Sequence, residues 1–202
     1  MENSKKHIKL YLKGEEKFGY FLSTVYFLLT KTNNYKKFSD MVARDVISYK
    51  PHSVLDIGTG PGLIPISIRK LSSYPIDVYG IDPSKQMISI AKRNVKNLMN
   101  VKFYLGSSRE IPFNKKFDII LSSLSLHHWK EKEQSINYIK KFLKSNGKII
   151  IYEYNKDGKG IGRMFVKSHS ISKAELVTLA KVCKMKLNIK HLNDLIISIL
   201  YK

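Results

Sequence analysis

Val54-Leu-Asp-Ile-Gly-Thr-Gly-Pro-Gly62 is the stretch on which the fold of this chain turns. A short apolar run, Ser53–Ile57, ends at a loop with glycine at 58, 60 and 62, and a second patterned run, Leu63–Leu71, follows at once. The pattern predicts a strand, a glycine loop and the N-terminus of a helix. Glycine is needed where the backbone turns with positive φ, or where a ligand lies against it with no room for a Cβ. Helix N-termini carry unpaired amides and partial positive charge, so this loop is expected to present free N–H groups to a nucleotide-like ligand. A dinucleotide fingerprint, G-x-G-x-x-G/A, fails because position 63 is Leu. A phosphate-binding loop fails too, since no Gly-Lys-Ser/Thr follows.

The next strand carries a second signal. Asp77-Val-Tyr-Gly-Ile-Asp82 ends in an acid 24 residues beyond Gly58. An acidic residue at the end of the second strand, about 20 positions on, accepts hydrogen bonds from ribose hydroxyls. Pro83-Ser84 then opens a helix with Met87, Ile88 and Ala91 on its apolar face. The competing use of Asp82 is to cap that helix.

Strand and helix alternate along the remainder. Val101–Leu105 and Phe117–Ser122 read as strands, and Glu131–Leu143 as a helix with Ile136, Ile139 and Leu143 on one face. Gly147–Tyr154 is a continuous apolar strand, Lys173–Cys183 a helix, and Lys186–Lys190 and Leu195–Tyr201 a pair of strands joined near Asn193-Asp194. Alternating β and α means a mostly parallel sheet covered on both faces. The expected fold class is therefore α/β, a Rossmann-like doubly wound sheet. Ligands of such sheets bind outside the carboxyl ends of the strands, where Gly58, Asp82, Gly106 and Ser122 fall.

With 202 residues the chain suits a single domain. Residues 1–50 show no strand pattern and are expected to form a helical cap on a core spanning 51–202, with Phe38, Met41, Val42, Val46 and Tyr49 at helical spacing. The apolar run Phe18–Thr30 is too short to span a bilayer and lacks a signal-peptide cleavage site, which predicts a cytoplasmic protein without membrane attachment. It reads instead as a helix over the ligand site. The single cysteine, Cys183, excludes internal disulfides and zinc clusters and is expected to be buried and inert; no metal site is expected.

The glycine segment resembles motif I of the class I S-adenosylmethionine (SAM) methyltransferases. Phe117-Asp-Ile-Ile-Leu-Ser-Ser-Leu-Ser-Leu-His-His-Trp129 is similar to the fourth-strand motif of the subgroup that includes ubiquinone-type C-methyltransferases and tRNA wobble-uridine methyltransferases. Leu143-Lys-Ser-Asn-Gly-Lys-Ile-Ile-Ile151 is similar to its turn into strand five. The resemblance implies a seven-stranded sheet whose closing hairpin contributes one antiparallel strand, with SAM as cofactor. It implies SAM contacts from Asp56, Gly58, Thr59, Gly60, Asp82, Pro83, Ser107, Ser108, Arg109 and Ser122. One departure stands out. The family has Gly-Asp-Ala after strand three, where the acid takes the adenine amine, and this chain has Gly106-Ser107-Ser108-Arg109. Losing that charged acceptor costs about 1–3 kcal/mol where it is desolvated, unless a serine oxygen or backbone groups replace it.

Methyl transfer from a sulfonium asks mainly for an in-line nucleophile and excluded water. A base is needed only where the acceptor loses a proton early. His127 and His128 are the candidate catalytic residues, the alternative being packing and loop hydrogen bonds. Trp129, Tyr20 and Tyr26 could face the sulfonium, with core packing the favoured use. Glu153 and Tyr154 read equally as pocket residues or as a plain strand end.

Charge bears on the acceptor. The chain has 36 Lys and Arg against 16 Asp and Glu, a net +20, and residues 155–190 hold nine basic side chains against Asp157 and Glu175. A basic rim at Gly158, Gly160 and Gly162 would suit a polyanion such as tRNA. Yet only five of the basic residues are Arg, and RNA recognition favours Arg and exposed aromatics. The fourth strand lacks the proline-proline-aromatic turn of base-amine methylation, and no cysteine stands there for cytosine C5 chemistry. Transfer to a small-molecule acceptor is the first expectation, RNA methylation the second, and a non-catalytic SAM-binding protein the third. The oligomeric state is not legible.

Overall fold

The computed structural model describes Leu10, residues 32–158 and residues 170–202. Helix α1 (Asn33–Ser48) precedes β1 (Ser53–Ile57), α2 (Leu63–Leu71), β2 (Asp77–Asp82), α3 (Lys85–Val95), β3 (Val101–Leu105), β4 (Phe117–Ser123) and α4 (Lys132–Ile139). Then come β5 (Leu143–Asn155), β6 (Ser170–Ile171), α5 (Lys173–Val182), β7 (Lys186–Leu192) and β8 (Leu195–Tyr201). The strands lie in the order β3-β2-β1-β4-β5-β8-β7, with the two-residue β6 beside the end of β5. Neighbours run parallel except β8, which is antiparallel to both β5 and β7. This is the Rossmann-like, mostly parallel sheet that the alternation of elements predicts. Chain order reverses between β1 and β4, the switch point beside which sheets of this kind bind their ligands, outside the carboxyl ends of the strands.

Burial explains the strand sequences. All five residues of β1 are buried, because a central parallel strand is covered on both faces; three are apolar, and Ser53 and Asp56 are the polar exceptions. At the sheet edge β7 alternates between exposed and half-buried positions. One face packs Ile136 and Ile139 of α4 and Leu176 and Leu179 of α5 against Leu55, Ile120, Ile149 and Ile151. The other packs Val42, Ala43 and Val46 of α1, Ile64 and Ile68 of α2 and Ile88 of α3 against Val54, Val78, Ile119 and Ile150. A fully buried side chain of this size contributes about 1.5–3 kcal/mol. Helix α1 is thus part of a layer that covers the sheet, and Tyr152 of β5 donates to Asp45 Oδ2 of α1 at 2.6 Å.

The expected helix Glu131–Leu143 is shorter than its spacing suggests. α4 ends at Ile139, a 3-10 turn covers Lys140–Phe142, and Leu143 opens β5 beside Phe117. Helical spacing survives because all three apolar residues enter one cluster, two from the helix and one from the sheet. The closing hairpin turns at Asn193-Asp194, with Leu192 paired to Leu195 and Asn193 at φ 53°. The expected helix Phe18–Thr30, with Tyr20 and Tyr26, lies outside the described residues.

Candidate functional site

The glycine loop is tied to the end of β2. Gly58 and Thr59 N–H both donate to Ile81 O, at 2.9 and 3.0 Å, and Gly60 N–H donates to Asp82 Oδ2 at 2.9 Å. Gly62 N–H donates to Thr59 O at 3.0 Å. The expectation of free amides therefore fails at 58, 59, 60 and 62: these donors are spent inside the loop, and Pro61 has none. A loop so arranged offers a shaped surface in place of an anion nest, which suits a ligand without phosphate. Two glycines answer to the protein itself. A Cβ on Gly58, at φ 77°, would collide with the Ser125 side chain beyond β4. One on Gly62, at φ 79°, would strike Phe103 of β3, so this residue lets α2 lie close to the sheet.

Two carboxyl groups flank the loop, both buried. Burial pushes Asp56, on β1, up from the usual 3.8 to about 7; the Thr59 hydroxyl opposes this short of a full hydrogen bond, and nearby Asp82 adds to it. Burial likewise raises Asp82 to about 6, against the pull of the Ser84 and Gly60 amides. Ser84 N–H reaches Asp82 Oδ1 at 2.9 Å, so Asp82 joins the glycine loop to the start of α3. Ser84 itself is the N-cap, accepting from Met87 N–H at 3.3 Å. Asp82 therefore does not cap α3 but holds the N–H of its cap residue, and each oxygen keeps room for a second donor.

Asp56 Oδ2, Thr59 Oγ1 and Ser122 Oγ are buried without a hydrogen-bond partner among the described residues. Each such atom costs about 1–3 kcal/mol until a partner arrives. SAM brings an ammonium group and ribose hydroxyls, which are donors of the kind these atoms need, and the residues fit it. Pro83 is half-buried between Asp82 and the cap. After β3, Ser107 and Glu110 exchange backbone hydrogen bonds, and Ser107 Oγ accepts from Arg109 N–H at 3.3 Å. Ser108 turns the other way: its hydroxyl lies 3.0 Å from that of Ser135 on α4, in the core.

Beyond β4, a 3-10 turn at Leu126–His128 carries the two histidines. Glu153 of β5 is fully buried and grips His127 twice: Oε2 lies 2.8 Å from Nδ1, and Oε1 accepts from the His127 N–H at 3.3 Å. The His128 ring lies 3.9 Å from that of His127, tilted by 50°. Trp129 is buried in the core and donates its indole N–H to Ser125 Oγ at 3.3 Å. The pairing of Glu153 with His127 is absent from the sequence reading, although an acid inside an apolar strand was the signal for it. Tyr154 is half-buried beside it. Cys183 is buried beyond α5, its thiol pushed up mainly by burial.

The described part of the basic segment is dispersed. Lys156 pairs with Glu175 at 3.7 Å, and Lys190 donates to Tyr49 Oη at 3.0 Å on the α1 side. Lys173, Lys181 and Lys186 are distributed along α5 and into β7. Lys159, Arg163, Lys167, Gly160 and Gly162 lie outside the described residues. Among the described residues no helix is long and apolar enough to cross a membrane.

Comparison with known proteins places this site in context. A family profile described as "Methyltransferase domain" matches residues 49–196. An uncharacterized methyltransferase of Alkaliphilus oremlandii is 38% identical over 99 residues, which is 48% of this chain and 43% of that protein. The malonyl-[acyl-carrier protein] O-methyltransferase of Halalkalibacterium halodurans is 31% identical over 114 residues, 54% of this chain and 41% of that protein. The match thus spans under half the length of these curated relatives. Among solved structures, a Methanococcus maripaludis protein assigned to the SAM-dependent methyltransferases superposes with a TM-score of 0.78 at 22% identity, covering 95% of this chain and 97% of its own. That likeness speaks for the fold, and the profile match over most of the chain speaks for descent. On both grounds, and with a phosphate-free ligand loop built as described, the chain belongs to the class I SAM-dependent methyltransferases.

Proposed function

We propose that this chain transfers the methyl group of SAM to a small-molecule acceptor. Three buried polar atoms without a partner among the described residues, Asp56 Oδ2, Thr59 Oγ1 and Ser122 Oγ, carry the cofactor half of this reading, and the scarcity of Arg in so basic a chain favours a small acceptor over RNA. The Halalkalibacterium halodurans relative is named for O-methyl transfer to malonyl-[acyl-carrier protein], which supports an acceptor other than RNA. SAM would supply an electrophilic methyl group. Asp82 would hold the ribose, and Asp56 would face the ammonium, whose charge returns that carboxyl to the ionised form. Gly58, Thr59, Gly60 and Pro83 would form the wall, Ser107, Ser108 and Arg109 the adenine end, and Ser122 the floor. Ser108 would contribute through its backbone, its hydroxyl being engaged by Ser135. His127 and His128 stand on the acceptor side. Residues 1–50 would form the helical cap of a core at 51–202, in a cytoplasmic enzyme.

Calorimetry tests the cofactor half. Gly60→Val and Asp82→Ala are each expected to weaken SAM binding at least tenfold while circular dichroism keeps its native shape; unchanged affinity in both would refute the assignment. Incubation with labelled SAM and separate RNA, protein and small-molecule extracts tests the acceptor half, with label expected in the small-molecule fraction.

A further inference from the structure

We propose that Glu153 is a positioning residue that fixes His127 as a general base, and that the acceptor is therefore a hydroxyl group. The proposal rests on the methyltransferase reading above and deepens it.

The argument begins with the cost of Glu153. It interrupts the apolar run of β5, is fully buried, and faces apolar Ile196 across the antiparallel pairing with β8. A buried carboxylate is tolerated only where hydrogen bonds hold it. Both oxygens go to one residue, His127, one to its backbone amide and one to its ring. A double grip of this kind fixes where the turn sits and which way the imidazole faces. For packing alone, an apolar residue would serve at lower cost.

Chemistry follows from the tautomer. A carboxylate only accepts, so Nδ1 carries the proton and Nε2 carries the lone pair. His127 belongs to the turn that follows Ser125, and Ser125 abuts Gly58 in the cofactor loop. The turn thus touches the cofactor loop, and the His127 side chain, 7% exposed, lies beside the imidazole of His128. A neutral amine is basic enough to attack a sulfonium methyl unaided, and a thiol is already partly thiolate near neutral pH. A hydroxyl gains most from a base, since its oxygen becomes strongly nucleophilic only as the proton leaves. In the step proposed, the acceptor oxygen bonds to the methyl carbon while the bond from methyl to sulfur breaks, its electron pair staying on sulfur. The hydroxyl proton passes to His127 Nε2, and the imidazolium is held by the carboxylate of Glu153.

Nitrogen NMR of histidine-labelled wild-type protein at pH 8 tests the geometry directly. The Nδ1–H tautomer is expected at His127, and the Nε2–H tautomer would overturn the proposal. In Glu153→Gln the new carboxamide can donate to Nδ1, so the Nε2–H tautomer is expected to appear at His127 in the same spectra. The plateau rate should fall at least tenfold. A rate loss with the wild-type tautomer retained would mean a structural role and sink the idea. His127→Asn should lose at least about a hundredfold in rate, within the range of general-base catalysis. Both variants should bind SAM as wild type does.

The acceptor class is read with SAM labelled by carbon-13 in its methyl group and a small-molecule extract. A methoxy signal is expected; label on carbon, nitrogen or sulfur overturns the assignment. Should no fraction take up label, the enzyme reading fails and this proposal with it. Transfer with an unaltered His127 in Glu153→Gln defeats this proposal alone.

Discussion

A carboxyl group sealed inside a fold, as Asp56 is, lowers stability whenever it ionises. Its folded pKa, about 7, lies above the ordinary 3.8, so the folded state holds the proton more tightly. The resulting stabilisation is complete below about pH 4 and is lost as pH rises through 7. Asp56→Asn cannot ionise. It is expected to unfold at higher temperature than wild type at pH 8, by up to about 4 kcal/mol in free energy, with the difference vanishing near pH 4. Scanning calorimetry at the two pH values checks this, and the same variant should bind SAM less well. At this scale the sequence was partly legible. Asp82 is found by counting from Gly58, because strand, loop and helix lengths in a βαβ unit are confined. The partner of Glu153 is not, since the contact bridges 26 residues and exists only because β4 and β5 lie side by side.

Helix ends show the same division. α5 begins at a reciprocal cap: Ser172 Oγ accepts from Glu175 N–H at 3.1 Å, and Glu175 Oε2 accepts from Ser172 N–H at 2.8 Å. The Ser172 amide is the main reason that the Glu175 carboxyl sits below its usual range. Ser172→Ala is expected to cost about 1 kcal/mol, read as a lower urea midpoint with unchanged slope. A cap of this kind is spelled in four consecutive residues, and the expected helix Lys173–Cys183 starts just after it. The end of α4 was not. Ile136, Ile139 and Leu143 keep helical spacing in a segment where a 3-10 turn hands the chain to β5, and periodicity cannot separate burial by a helix from burial by the next strand.

For the whole molecule, charge was the feature that composition announced and placement explains. A net +20 predicts adhesion to any polyanion, and the described lysines are spread over the whole fold, from α1, α2, α3 and β3 to α5 and β7. Native protein is therefore expected to bind tRNA at about micromolar affinity or weaker in physiological salt, with a steep salt dependence and no label passed from SAM. Filter binding across a salt series checks this; label at one RNA position would reverse the choice of acceptor. The mostly parallel sheet was legible because strands and helices alternate along most of the chain. What it did not show was how the cofactor loop spends its amides. Because Gly58, Thr59 and Gly60 are already anchored to Ile81 and Asp82, the conformational entropy of the loop is given up when the chain folds. A ligand arriving there finds the wall in place, and the free energy of its contacts goes into affinity, with no share spent on ordering the backbone.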